Sequence, residues 1–185
     1  MPTHVALLRG INVGGRNRVA MAALREVVEG LGHTEVATYI QSGNVVFTSQ
    51  EADSGTLAEA LERAIGDRLG VRPRVVVLSR EDLARVVADN PFPDEPNPKL
   101  VHAVFRNGPL SPEELAAVDA AQERARELGS RDEARVVGTT LYLHTPDGFG
   151  RSELAARLTK AGPVGTAATA RNWATVRKLL DMCGS

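Results

Sequence analysis

Cysteine is nearly absent from this 185-residue sequence, which has only Cys183, two residues from its end. A single thiol can form neither an internal disulfide nor a cysteine-based zinc site. No apolar run approaches the roughly 20 residues that a membrane helix needs, and the first residues lack the pattern of a signal peptide. These absences predict a cytoplasmic protein that has no membrane association and binds neither a metal nor another cofactor.

Aromatic residues and excess charge are scarce as well. Phe, Tyr and Trp make up 4% of the chain, and the formal net charge is −1. The chain therefore lacks a strong positive field that would attract nucleic acid from a distance, although a local basic patch remains open. Apolar residues, at 43%, suffice for a hydrophobic core, and charged residues, at 24%, are an ordinary share for a soluble domain.

The first half alternates strand and helix patterns in the order βαββαβ, which is the split-βαβ or ferredoxin-like pattern. The predicted strands are residues 4–9, 35–40, 45–48 and 72–78, and the predicted helices are residues 20–31 and 55–69. A third helix follows Ser79. Four prolines between residues 90 and 99 then predict a linker, because neither a helix nor a central strand tolerates them.

The second half repeats this order of elements. Ser111, Pro112 and Glu114 supply an N-cap, an N1 proline and a capping-box glutamate, which predict a helix over residues 111–128. The remaining predicted elements are strands at 100–106, 133–137 and 140–144, a helix at 152–160, a weak strand at 165–169 and a C-terminal helix.

The two halves together predict an α+β fold, a tandem duplication of two ferredoxin-like (βαββαβ) subdomains with antiparallel sheets plus extra helices. The expected division is an N-terminal subdomain at 1–89, the linker at 90–99 and a C-terminal subdomain at 100–185. Several strands are apolar on both faces, so each sheet should be covered on both. Such a sheet is not an open platform for RNA, and self-association is one way to bury its faces.

Two polar loops of the first half should meet at one rim of its sheet. In the βαββαβ order, the end of the first strand and the hairpin between the second and third strands lie at the same end of the sheet, where these strands turn. Glycine lets backbone N–H groups approach a ligand closely, and the start of the next helix adds partial positive charge. The rim therefore predicts a phosphate or carboxylate site. Its candidate binding residues are Arg9, Asn12, Gly14, Gly15, Arg16, Asn17, Gln41, Ser42 and Asn44.

The same residues also fit a purely structural role. A glycine pair can form a tight turn, and asparagine side chains can bond the carbonyls of their own loop. The spacing matches neither a Walker loop nor the dinucleotide-binding GxGxxG motif. The sequence leaves the binding and the structural interpretation open.

A second rim follows from the second half, where the loops at 144–153 and 169–173 leave strands that run in the same direction. Gly148, Gly150 and Ser152 accompany its basic residues at the starts of helices. Ser152 fits an N-cap equally well, and Trp173 fits a core position. The candidate binding residues of this rim are Arg151, Arg171 and Asn172.

Two histidines, His102 and His144, fall on strands of the second half that should be neighbours. They are candidates for proton transfer. Without a third clear ligand they make a poor zinc site.

The stretches LLRGINVGGRN, TYIQSGNVVF, GFGRSEL and TARNWATVRKLL resemble one bacterial family, named domain of unknown function 1697. The resemblance covers nearly the whole chain and implies a fold of two ferredoxin-like subdomains. It implies no activity.

Three functions remain as hypotheses. The first is binding of a phosphate-bearing ligand, either a small molecule such as a nucleotide or a nucleic-acid backbone. The second is an enzyme acting on a small substrate, with His102 or His144 as the proton carrier. The third is a non-catalytic interaction module, whose polar loops would chiefly bond one another.

Overall fold

The apolar segments form two four-stranded antiparallel sheets in a computed structural model, which describes residues 1–160, 162–165 and 168–184. Seven α-helices within these ranges accompany the sheets. The fold is thus α+β. The chain divides into two compact units, one comprising Met1–Arg85 with the C-terminal residues from Lys178 onward, the other comprising Val86–Arg177.

The first unit has the predicted βαββαβ order, and its strands lie side by side in the order β2-β3-β1-β4. Every neighbouring pair is antiparallel. The elements are β1 (His4–Leu8), α1 (Met21–Gly30), β2 (Thr34–Tyr39), β3 (Asn44–Thr48), α2 (Ser54–Leu69) and β4 (Val75–Ser79).

The second unit has the equivalent strand order, β6-β7-β5-β8, again with antiparallel neighbours. The helix α3 (Arg80–Ala88) leads into it. The further elements are β5 (Val101–Arg106), α4 (Pro112–Glu127), β6 (Glu133–Val137), β7 (Thr140–His144), a 3₁₀ helix (Phe149–Arg151), α5 (Glu153–Thr159), α6 (Gly162–Gly165) and β8 (Ala168–Asn172). The last helix, α7 (Trp173–Met182), begins in this unit, and its residues from Lys178 onward belong to the first.

Each unit has its own hydrophobic core between its sheet and its helices. In the first unit Leu8, Phe47 and Val75 pack with Leu24 and Leu61. In the second, the core joins β5 and β7 to α4 and α5. All five residues of β1 are buried, and this strand is therefore covered on both faces, as its apolar sequence predicts.

The structure confirms the predicted helices, but the prediction for the end of the second unit is wrong. Ser111 and Glu114 form the predicted capping box at the start of α4. The last strand, expected at 165–169, is Ala168–Asn172, and α6 precedes it without having been predicted. Thr166 and Ala167, part of the expected strand, lie outside the described residues. The segment 169–172 is therefore strand rather than loop.

The proline-rich segment 90–99 contains no helix or strand, as expected for a linker. It is nevertheless fixed within the second unit. Phe92 is buried, and the Glu95 carboxylate lies 2.7 Å from Nε2 of His144 on β7. Among the described residues, no helix is long and apolar enough to cross a bilayer.

The single cysteine, Cys183, is fully buried in the first unit. Burial raises the pKa of its thiol to about 11, against a smaller opposing effect of the Arg80 charge. At neutral pH the sulfur therefore stays protonated, and a protonated thiol is a poor nucleophile.

The turn between β2 and β3 requires a glycine at position 43, because Gly43 has a φ of +83°. A Cβ there would lie 2.7 Å from Cδ1 of Ile11 and 2.8 Å from Cβ of Leu8. We expect Gly43→Ala to lower the free energy of unfolding by about 3 kcal/mol, because a left-handed conformation and overpacking add together. Urea denaturation measures this loss.

Gly14→Ala is the matched control. Gly14 also has a positive φ, +58°, but no atom lies within 4 Å of a Cβ built there. This variant should lose only about 1 kcal/mol. Equal losses for the two variants would contradict the packing argument.

Candidate functional site

One asparagine side chain joins the two polar loops of the first unit. The amide nitrogen of Asn12 donates to the carbonyl of Gln41, at 2.8 Å, and to the carbonyl of Val19, at 3.0 Å. Its amide oxygen accepts from the backbone N–H of Val19 at 2.8 Å. The loop after β1, the start of α1 and the β2–β3 hairpin therefore meet at this side chain, which we call the Asn12 clamp.

The loop after β1 folds into a small hairpin of its own. Backbone bonds join Asn12 to Asn17 and Val13 to Arg16, each at 3.0 Å. The central residues Gly14 and Gly15 have φ values of +58° and +76°, and two positive φ values in succession are what a type I′ turn requires. The glycine pair thus has a sufficient structural explanation. We call residues 9–18 the arginine loop.

The other asparagines of this rim also support the chain. The amide of Asn17 donates to the carbonyl of Gly10 at 3.0 Å. Asn44 is fully buried, and its amide donates to the Tyr39 carbonyl and to Oγ of Ser42, both at 2.9 Å. These amides hold the loops in place, which is the role that the structural interpretation assigns to them.

The arginines of this rim point to a different role. Arg16 and Arg18 are exposed, and neither forms an ion pair within the described part of the chain. Arg9 lies beside Arg74, since the Arg9 N–H donates to the Arg74 carbonyl at 2.9 Å. Residues 7–20 and 38–48 contain no Asp or Glu. The rim is therefore locally basic in a chain whose net charge is close to zero.

Arg18 and Arg74 were not among the residues predicted from the sequence. Arg18 follows the loop motif directly, and its Nη2 approaches Gly15. Arg74 precedes β4, whose pairing with β1 brings it to Arg9. Arg18 could have been predicted as a site residue from its position next to the loop motif. Arg74 could be predicted only once the strand order of the sheet was known.

The second rim is assembled differently from the first. Arg171 is buried within β8, where its guanidinium donates to Oγ1 of Thr169 at 2.7 Å and to the Ala170 carbonyl at 2.9 Å. Burial lowers its pKa to about 10. Asn172 accepts from the N–H of Thr175 at the start of α7. Of the three candidate residues only Arg151 is exposed.

Gly148, Arg151 and Ser152 of this rim line a cavity of about 240 Å³ together with residues of α4 and α5. Ser152 caps α5 by accepting from the N–H of Ala155 at 2.9 Å. Its hydroxyl therefore has the structural role that the sequence also allowed.

The two histidines lie on neighbouring strands, but their side chains point to opposite faces of the sheet. Val101 pairs with His144, and His102 pairs with Leu143. Because side chains alternate along a strand, His102 lies on the face opposite His144. The two rings therefore do not form one proton-transfer site.

His102 is poorly placed to exchange protons with a substrate. Its ring stacks on Phe149 with centroids 3.9 Å apart, and Nδ1 is buried without a hydrogen-bond partner. Desolvation lowers its pKa to about 4, so the ring is neutral at physiological pH.

His144 is engaged with the proline-rich segment. Its bond to Glu95 and its tilted contact with the Phe92 ring, at 5.2 Å, attach that segment to β7. The pKa of Glu95 is lowered, first by the backbone N–H of Asn97 and then by His144. No group of three or more His, Cys, Asp or Glu side chains suited to a metal occurs within the described ranges.

Comparison with known proteins shows that this α+β architecture also occurs in a solved bacterial protein. The structure of the conserved bacterial protein SP0830 from Streptococcus pneumoniae is similar, with a TM-score of 0.76 and 25% sequence identity over 98% of each chain. Among curated proteins, none matches the sequence significantly.

The family model for proteins of unknown function called DUF1697 matches residues 1–142. The chain belongs to this family, which confirms the resemblance seen in its motifs.

The clamp gives a prediction for Asn12→Asp. Aspartate has nearly the same shape and tolerates the φ of +53°, but it cannot donate to two carbonyls and places a negative charge against them. We expect a loss of about 2–4 kcal/mol in the free energy of unfolding, measured by urea denaturation at pH 7.

Asn17→Asp is the control, since Asn17 has a φ of +51° and donates a single bond in an exposed position. Its loss should stay near 1 kcal/mol. A clamp variant that is no less stable than this control would show that the Asn12 amide does not hold the loops.

The low pKa of the buried His102 predicts that the stability of the protein depends on pH. Its pKa is about 4 when folded and 6.5 when unfolded, so the unfolded chain binds the proton first. Stability should fall as the pH drops from 6.5 toward 4, by about 3 kcal/mol from this group. His102→Gln should flatten the dependence in that window and leave it unchanged above pH 7, as measured by urea denaturation across the range. An equally steep dependence in the variant would contradict this assignment.

Proposed function

We propose that the first unit binds a phosphate-bearing ligand at its basic rim, and that the arginines rather than the asparagines make the contacts. The observation that carries the proposal is the rigid presentation of exposed Arg16 and Arg18 on a hairpin that the Asn12 clamp fixes. A loop ordered before binding loses less conformational entropy when it meets its ligand.

The chemistry of the side chains suits phosphate. Guanidinium groups pair with phosphate oxygens through two parallel hydrogen bonds. The helix α1 begins after Ala20 without a side-chain cap and has no acidic residue in its first turn. Its first N–H groups therefore add partial positive charge close to the clamp.

The exposure of these arginines favours an extended ligand, such as a nucleic-acid backbone, over a small nucleotide. Small ligands are usually enclosed in concave pockets, whereas successive phosphates of a strand can be contacted by several exposed cationic side chains. The proposal assigns the asparagines a supporting role, so Asn12, Asn17 and Asn44 act on binding through the positions of the loops.

We also infer that the two units are a duplication of one ferredoxin-like subdomain. The support is the shared βαββαβ order and the matching strand orders, β2-β3-β1-β4 and β6-β7-β5-β8.

Fluorescence anisotropy with a labelled 20-nucleotide single-stranded RNA tests the function. Arg16→Gln/Arg18→Gln should weaken binding at least tenfold at 50 mM salt and reduce the slope of log K against log salt by about 1.4, since each phosphate contact contributes about 0.7. Unlabelled ATP as a competitor tests the small-ligand alternative.

The matched control is Arg63→Gln, an exposed arginine on α2 of the same unit. It should leave the affinity within twofold. If the double variant binds RNA, single-stranded DNA and ATP as the unmodified protein does, the rim is not the binding site. If the unmodified protein binds none of them, the interaction-module hypothesis gains support instead.

A further inference from the structure

We infer that the cavity of the second unit binds a small zwitterion of the amino-acid class, with its ammonium group at Asp132 and its anionic group at Arg151. The proposal rests on the second unit alone and is independent of the function proposed for the first. The cavity has a volume of about 240 Å³, which suits a ligand smaller than a drug-sized molecule.

Asp132 is the unusual wall residue of this cavity. It is only 7% exposed, yet no hydrogen bond or ion pair to its carboxylate is found in the described part of the chain. Its carboxylate oxygens are not among the buried polar atoms sealed from solvent. Asp132 lines the cavity, and the proposal takes its unsatisfied carboxylate to face this space. Buried carboxylates without a partner are rare.

The position of Asp132 is fixed by its backbone. Its carbonyl accepts from the amide of Gln122 at 3.1 Å, and its N–H donates to Oγ of Ser130, also at 3.1 Å. The buried Gln122 also accepts from the N–H of Ala134 at 2.6 Å. These bonds use only the backbone of Asp132, so its side chain does not stabilise the local structure. Gln122 of α4 holds this backbone beside the cavity.

The other charges around the cavity largely neutralise one another. Arg124 pairs with Glu127 at 3.2 Å, Arg157 with Glu153 at 3.1 Å, and Arg131 with Asp147 at 2.6 Å. The pKa of Arg131 is raised mainly by its bond to Asp147, and the charge of Asp132 is the smallest contribution.

Two charged lining groups remain without an ion pair in the described ranges, the carboxylate of Asp132 and the exposed guanidinium of Arg151. One negative and one positive group in the same cavity complement a ligand that carries both charges. A simple amine or a simple acid would satisfy only one of them.

The rest of the cavity wall indicates that the ligand carries a side chain of modest size. Ala121, Ala125 and Leu154 supply apolar surface to the same cavity. An aliphatic amino acid would bury its side chain there. For a ligand of this size we expect a dissociation constant of about 1 mM.

Proton NMR by saturation transfer, using the full chain with L-alanine, L-valine and L-leucine, tests this inference. Isoamylamine and 4-methylpentanoate, which carry one charge each, are the matched probes for leucine. We expect saturation transfer to at least one amino acid and at least tenfold weaker binding of both single-charge probes.

The variants Asp132→Asn and Arg151→Gln should each weaken the amino acid at least tenfold. Arg124→Gln is the control, because Arg124 lines the same cavity but already has a partner, and it should change the affinity less than threefold. Arg151 is exposed, so its variant keeps the test informative even if Asp132→Asn fails to fold. The inference is overturned if no amino acid binds, if the variants bind as the unmodified protein does, or if the amine alone binds equally well.

Discussion

The polar rim of the first unit depends on one primary amide. Without Asn12, the carbonyl and N–H of Val19 and the carbonyl of Gln41 would each lose a partner, and the side-chain bonds that join the loop after β1 to the β2–β3 hairpin would be lost. Asparagine suits this position because it combines two donors, an acceptor and tolerance of a positive φ. Few other residue types provide all three, so the attachment of the arginine loop to its neighbours depends strongly on the chemistry of this side chain.

The asparagines and the arginines of this rim therefore differ in role, although they are neighbours in the sequence. Neighbouring Asn and Arg residues in a glycine-rich loop look like one binding motif when read along the chain. In three dimensions the amides bond inward to carbonyls, while Arg16 and Arg18 extend outward. Short amide side chains reach their own backbone easily, whereas the long arginine side chain keeps its charge in water. The structure thus supports the structural interpretation for the asparagines, and our proposal assigns binding to the arginines of the same loop.

Periodicity and end signals were enough to predict most of the elements. The alternation of apolar residues and the capping box at Ser111 depend on local chemistry, which the sequence contains. The opposite faces of His102 and His144 depend on the register between β5 and β7, which is set by packing rather than by either strand alone.

Asp132 was missed for a similar reason. An aspartate that follows Gly129, Ser130 and Arg131 is typical of a turn, and only the fold shows that it lines a cavity. The extension of the last strand through Asn172 was missed because Ala170, Arg171 and Asn172 give a weak strand signal.

The burial of Cys183 has a practical consequence for chemistry on this protein. Since the only native sulfhydryl is shielded and protonated at neutral pH, maleimide reagents will react with it slowly. A second cysteine placed at an exposed position, such as Val13 at the tip of the arginine loop, would then be the fast-reacting one. The native sequence thus serves as its own unlabelled background for a site-specific fluorophore or spin label.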